Sequence, residues 1–303
     1  MSNIERSRQI PSWGDGMRRG AAALTLGMAG LAAAADEAPA VDKSQFTLFR
    51  PTPTALLREL ATDRPDTTES PITVDAGHLL LELSFVDYTH NRSQGVRTDQ
   101  IIAAPINLKL GVLNRVDLEF VLNPCVQVRT RTNGAATGTV TGFGDALIRV
   151  KISLWGNDGP QVGFGKTAFG LLPFIKIPTA RGGLGNGRVE GGLILPLAVD
   201  LPAGFDLGMM VEFDFVRNDP NTRYGLETVH SITLGHPCIG SLRGYVEYVG
   251  ITPNGTGTSY RGFFSTGLIY AVGKDVQLDA GTRVGLSKRS DALNLFTGIS
   301  LRF

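Results

Sequence analysis

The chain has 303 residues, of which 38 are glycine, 8% aromatic and only 19% charged. Its 29 basic and 28 acidic residues nearly cancel, which argues against the basic stripe a nucleic-acid partner needs. Two distant cysteines and four histidines give no zinc spacing, so an all-β chain or a membrane protein fits better than an ordinary soluble enzyme.

The first element is a targeting segment. Arg18 and Arg19 precede an apolar stretch from Gly20 to Leu31, which ends in Ala33-Ala34-Ala35 before Asp36 and Glu37. This is the charged, apolar, small-residue order of a secretory signal peptide. Its apolar run is too short and too rich in Gly and Ala to span a bilayer as an anchor. Residues 1–35 are therefore expected to be removed, with cleavage after Ala35 or, as second choice, after Ala40; Met17 is an alternative start.

Residues 36–76 follow, polar and broken by Pro51, Pro53, Pro65 and Pro71, with a short helical turn expected within 54–61. Ordered inside a lumen, this segment would be a plug or gate; left outside, it would be a periplasmic tail or pair with a partner protein. Glu69 to Val74 resembles only faintly the box that energises TonB-dependent receptors, and no plug domain accompanies it. No later segment reaches the roughly 18 apolar residues of a transmembrane helix, but an exported chain can still cross a membrane as a closed barrel.

From Gly77 to Phe303 the pattern has period two. Val116, Leu118, Phe120, Leu122, Val126 and Val128 fall on one face, with Asp117, Glu119, Asn123, Gln127 and Arg129 on the other. Ala146, Ile148, Val150, Ile152 and Leu154 alternate with Asp145, Arg149, Lys151 and Ser153 in the same way. So do Phe205, Leu207, Met209, Val211, Phe213 and Phe215 with Asp206, Glu212 and Asp214. A helix would scatter these charges, whereas a strand collects them on one side. About twelve such segments occur: 77–88, 98–112, 116–129, 143–155, 164–177, 189–201, 205–216, 226–235, 242–251, 260–272, 276–286 and 292–303. Most have the length that crosses a membrane at a tilt, and an even count suits a bacterial single-chain barrel.

Short connections at Leu113 to Arg115, Gly156 to Gly159, Pro202 to Gly204, His236 to Ser241 and Gly273 to Asp275 read as periplasmic turns. Longer polar stretches at 89–97, 130–142, 178–188, 217–225, 252–259 and 287–291 read as extracellular loops. The last strand places Leu293, Leu295, Ile299, Leu301 and Phe303 outward and stops at an aromatic residue. Phe303 in that setting resembles the signal by which outer-membrane barrels are assembled, so the barrel assembly machinery is an expected partner. The expected fold is thus an all-β, antiparallel up-and-down transmembrane barrel of about twelve strands.

Thr62 to Pro71 (TDRPDTTESP), followed by Val74-Asp75-Ala76-Gly77-His78 and Glu82, resembles an outer-membrane transporter family linked by name to the MetA pathway of phenol degradation. Matching blocks are Ile177-Pro178-Thr179 with the Gly-rich loop 182–187, Gly244-Tyr245-Val246-Glu247, Tyr270-Ala271-Val272 with Gln277 to Gly281, and Phe296 to Phe303. The resemblance spans about residues 60–303. It implies a Gram-negative outer-membrane barrel connected with aromatic degradation, without assigning a solute.

The wet faces carry the candidate transport path: Glu82, Asp117, Glu119, Arg149, Lys151, Glu212, Arg243, Glu247, Asp279 and Arg283. Lys109, Arg129, Asp145, Lys176, Asp206, Asp214 and Arg302 share those faces. Both signs occur in similar number, which points to weak ion selectivity or a lumen partly closed by cross-strand ion pairs. A barrel phospholipase would need Ser and Asn at positions matching His230 on the adjacent strand, and they are missing. Gly182 to Gly187 has no Lys-Ser or Lys-Thr after it, which excludes a phosphate loop. Cys125, near an outer strand end, and Cys238, in a periplasmic turn, are expected too far apart to bridge.

The expected function is passive passage of small, aromatic or hydrophobic solutes, with outer-membrane lipid as surroundings and no catalytic residue, metal or cofactor. The alternative is a closed structural or adhesive barrel whose extracellular loops 130–142 and 178–188 bind a partner.

Overall fold

The computed structural model describes residues 42–93, 95–158, 166–218, 222–255 and 259–303. The signal-peptide assignment at 1–35 lies outside the described residues. Among the described residues fifteen strands make one sheet: β1 Leu79–Ser93, β2 Val96–Ala103, β3 Ile106–Leu113, β4 Val116–Leu122, β5 Cys125–Thr132, β6 Ala135–Gly142, β7 Ala146–Trp155, β8 Lys166–Ile177, β9 Glu190–Asp200, β10 Asp206–Arg217, β11 Tyr224–Ile239, β12 Leu242–Thr252, β13 Arg261–Ala271, β14 Val276–Gly285 and β15 Leu293–Arg302. All pairings are antiparallel, and β15 pairs with β1 from Leu80↔Arg302 to His90↔Leu293, which closes the ring.

The ring has twelve staves among the described residues, because β2 with β3, β4 with β5, and β6 with β7 are each one stave interrupted near mid-height. The interruptions fall at Ala104-Pro105, Asn123-Pro124 and Phe143 to Asp145, and the neighbouring β1 carries a bulge between Ser84 and Val86. Proline has no N–H for the ladder, so Pro105 and Pro124 end pairing where they stand. Four adjacent staves are thus broken along one line.

The break corrects the expected faces. One residue added to an alternating strand moves everything beyond it to the other side. Asp117 and Glu119 are inward and buried on β4, but on β5 it is Val126 that is inward and buried, while Arg129 is exposed on the outside. Val126 and Val128 therefore do not continue the lipid face, and Arg129 does not line the lumen. The stretches 89–97 and 130–142, expected as loops, are largely strand: β1 and β2 form one tall hairpin, β5 and β6 another. The turn expected from His236 starts later. β11 runs on to Ile239, with a bulge between Pro237 and Ile239 that accommodates the proline.

Elsewhere the alternation holds. Val211, Phe215, Ile232, Val246, Leu268, Leu278 and Leu295 are exposed on the outer surface, an arrangement that suits hydrocarbon rather than water. His230 also points outward, with its Nε2 3.1 Å from the Tyr260 hydroxyl, which lies 2.6 Å from that of Tyr248. No helix among the described residues is long and apolar enough to cross a membrane. Cys125 and Cys238 are both free and exposed.

Candidate functional site

Residues 42–78 run into β1 at the ring's seam, and what they touch lies all around the inner wall. Val74 N–H donates to Asp117 of β4 at 2.9 Å, and Asp63 N–H donates to Glu82 of β1 at 2.9 Å. Glu69 meets Arg149 of β7 at 2.6 Å. The backbone N–H groups of Thr67 and Thr68 both donate to Glu247 of β12 at 2.8 Å, and the Thr68 hydroxyl lies 2.7 Å from that of Ser231 on β11. Arg64 holds Asp279 of β14 with two nitrogens, at 2.6 and 3.1 Å. A segment bonded to opposite sides of a closed ring lies within it. The wall makes room with glycine: a Cβ at Gly111 would collide with the Asp75 carbonyl, and one at Gly298 with the Arg64 guanidinium.

The centre of these contacts is a buried charge lattice. The strand register places Lys109 opposite Glu119, Glu119 opposite Arg149, and Asp117 opposite Lys151. Asp63 enters from the segment and accepts from Lys109 and, at 2.7 and 2.8 Å, from Lys151. Glu82 lies 2.7 Å from Lys109 and Glu119 3.2 Å from Lys151. Both lysines are 1% exposed. Ammonium groups so far from water need paired anions, and Asp63 serves two at once. Burial works to raise the Asp63 carboxyl, but Lys109 and Lys151 outweigh it and hold it well below the usual carboxylate range.

Asp66 goes the other way. Burial, and then the charge of Glu247, push its carboxyl well above the ordinary value, with Asp63 adding to the rise. A carboxyl whose pKa is raised in the docked segment stabilises docking while protonated, and that contribution is lost as pH rises through the raised value. Moving from mildly acidic to alkaline pH is therefore expected to increase protease cleavage within 42–76, and Asp66→Asn should flatten that dependence.

Of the path residues expected from sequence, Glu82, Asp117, Glu119, Arg149, Lys151, Glu247, Asp279 and Arg283 all meet the segment or its immediate partners; Arg283 donates to the Thr67 hydroxyl at 2.5 Å. Glu212 stands apart on β10 between Ile194 and Val229. Arg243 is bound to Asp206 near the β11–β12 turn and does not join the lattice. Phe303 is exposed at the seam, where its backbone exchanges hydrogen bonds of 2.8 and 3.1 Å with Leu79.

Two features were not read from the sequence as parts of the site. One is the segment's own Asp63, Arg64, Thr68 and Glu69; their signal was the density of charge around Pro65 immediately before the first strand. The other is an inward apolar cluster of Leu172, Ile194, Met210, Val229, Val249 and Phe263 on β8 to β13, facing the charged wall. Its signal is apolar residues in phase with polar ones, as Met210 is with Glu212 and Val229 with Ser231. Above Arg64, Pro65 and Asp66 a cavity of about 430 Å³ remains, with Phe263, Phe296, Ile102 and Ile251 beside Arg261 and Arg283 in its lining.

A solved structure shares this architecture. The COG4313 outer membrane channel from Pseudomonas putida F1 superposes with a TM-score of 0.57 at 12% identity, covering 80% of this chain and 100% of that one. The NanC porin gives a TM-score of 0.45 at 8% identity over 72% of this chain and 98% of that one. The CymD monoaromatic hydrocarbon channel gives 0.39 at 9%, over 74% and 87%. No curated protein matches the sequence. The family model described as "Putative MetA-pathway of phenol degradation" matches residues 62–303, from the inner segment's charged motif to the last strand. The chain belongs to that family and is a β-barrel of the bacterial outer membrane.

Proposed function

We propose that the protein is a passive channel for small solutes, aromatic or otherwise apolar ones foremost, and that residues 42–76 act as its plug. The observation that carries this reading is the two-sided lumen, in which an apolar wall faces a charged one across the inner segment. A cavity of about 430 Å³ is of a size that holds a small organic molecule. Phe263 and Phe296 offer ring faces, and Arg261 and Arg283 offer donors to a hydroxyl. Twelve staves give a barrel wider than those filled by side chains and narrower than open porins. Passage would be diffusive, with no covalent step and no cofactor, and Phe303 would serve recognition by the assembly machinery.

The test is flux through proteoliposomes. A phenol-sized aromatic should pass several-fold faster than a sugar of equal mass after correction for leakage across empty liposomes, and Phe263→Glu should reduce that preference. Equal rates for both solutes would overturn the apolar assignment. Silence to every solute, with and without the inner segment, would instead leave a sealed barrel whose loops bind a partner.

A further inference from the structure

On the outer wall above the break, the register lines up three arginines. Arg92 of β1 is directly opposite Arg97 of β2, and Arg97 is directly opposite Arg131 of β5. Directly opposed residues share a face, and like charges so placed repel. The next row down reads His90, Asp99 and Arg129, and the one below it Tyr88, Ile101 and Gln127. These rows face outward, because the alternate positions Asp87, Thr89, Gln100 and Ile102 line the lumenal cavity.

Asp99 offsets Arg97 alone and leaves the other arginines of the patch without an anion. It already accepts from Tyr88 and His90 at 2.8 Å and from Arg97 at 2.9 Å. Among the described residues, no hydrogen bond or ion pair engages the side chains of Arg92, Arg129 or Arg131. The rows enclose an outward cavity of about 250 Å³ that Arg97, Arg129 and Arg131 line together with Tyr88 and Gln127. Along the same outer column of β1, exposed Phe85 and Val86 give way to Tyr88, then His90, then Arg92, and exposed Leu295 lies opposite Tyr88. Apolar residues followed by an aromatic hydroxyl and then by cations mark the level where hydrocarbon ends and headgroups begin.

We propose that this patch binds the phosphate groups of the phosphorylated glycolipid in the outer leaflet. Guanidinium groups match phosphate oxygens in fork geometry, and a phosphate in this cavity, among Arg97, Arg129 and Arg131 with Arg92 opposite Arg97 at its edge, converts their repulsion into attraction; Asp99 also lines the cavity but is already held by Tyr88, His90 and Arg97. A lipid phosphate fits better than a free one because the site opens sideways from the wall at the membrane surface, away from the lumen. The wall below it is apolar and would take the acyl chains.

The test uses the full-length mature barrel in detergent, titrated with bisphosphorylated lipid A, with dephosphorylated lipid A and with inorganic phosphate, and read by native mass spectrometry and thermal melting. Bisphosphorylated lipid A should bind and raise the melting temperature, and the triple variant Arg92→Gln/Arg97→Gln/Arg131→Gln should lose about tenfold or more in affinity. Without lipid, that variant should melt close to the parent, since relief of the repulsive row offsets the loss of the exposed Arg97–Asp99 pair. Arg131→Gln alone, at a side chain without a hydrogen bond, should lose several-fold and serves as the check if the triple variant folds poorly. Undiminished lipid A binding by these variants would overturn the site. Equal binding of the dephosphorylated lipid, or full stabilisation by inorganic phosphate alone, would overturn its assignment to lipid phosphate.

Discussion

Deleting residues 36–76 is expected to convert a barrel that conducts poorly in planar bilayers into one that conducts steadily, with a rise on the order of tenfold, because a charged obstruction bars hydrated ions more strongly than the wall alone. The expectation follows from where the segment's anchors lie. Arg64, Thr67, Thr68, Glu69 and Val74 tie it to β1, β4, β7, β11, β12 and β14, so that it crosses the lumen from one side of the ring to the other. Single-channel recording of the refolded mature chain, with and without the segment, is the measurement. The deletion also strips Lys109 and Lys151 of Asp63, so a control variant that keeps the segment and carries Arg64→Ala and Glu69→Ala should give intermediate, flickering openings. Identical conductance in all three forms would end the plug reading.

The second large effect is on stability. Asp63→Ala removes an anion shared by two buried ammonium groups. Breaking a buried pair typically costs several kcal/mol because a charge is left uncompensated. Here the loss should be about 3 kcal/mol, at the lower end of that range, since Glu82 still touches Lys109 and Glu119 still touches Lys151. Denaturant unfolding in detergent reads the change. Adding Lys151→Met to Asp63→Ala should recover part of it, because one buried cation then no longer needs a partner. A double variant as unstable as the sum of the two single variants would mean that Asp63 acts independently of Lys151.

The staves could be read from the sequence because lipid on one side and polar groups on the other impose a period of two that survives without any tertiary knowledge. Val211, Phe213 and Phe215 against Glu212 and Asp214 carry that information within a few residues. The same rule failed at Asn123-Pro124, where alternation continues in letters but not in space: Val126 and Val128 read as the next lipid-facing pair, yet pairing with Ile102 and Gln100 turns them inward. The charged path residues were legible as a class, since a charge on a strand in lipid has to point to the lumen. Their partners were not, because Asp63 reaches Lys109 and Lys151 from a stretch with no periodicity. The charge density around Pro65 marks the stretch but does not say which wall residues it meets. The apolar cluster was hidden for a related reason: Leu172 and Ile194 obey no polar-inside rule, being buried with Met210, Val229, Val249 and Phe263 rather than facing lipid.

The broken line across four staves also constrains how this sequence can drift. On each side of a break the inward positions differ by an odd number, from Ser84 to Asp87 on β1, from Ile102 to Lys109 across β2 and β3, and from Glu119 to Val126 across β4 and β5. Losing or gaining one residue at a single crossing would invert the upper half of that stave alone, sending Val126 outward and Arg129 into the lumen beside neighbours still in the old phase. Such a change is tolerated only when the adjoining staves change with it. The four crossings therefore constrain one another, and a one-residue change at any of them is expected to need matching changes at the others.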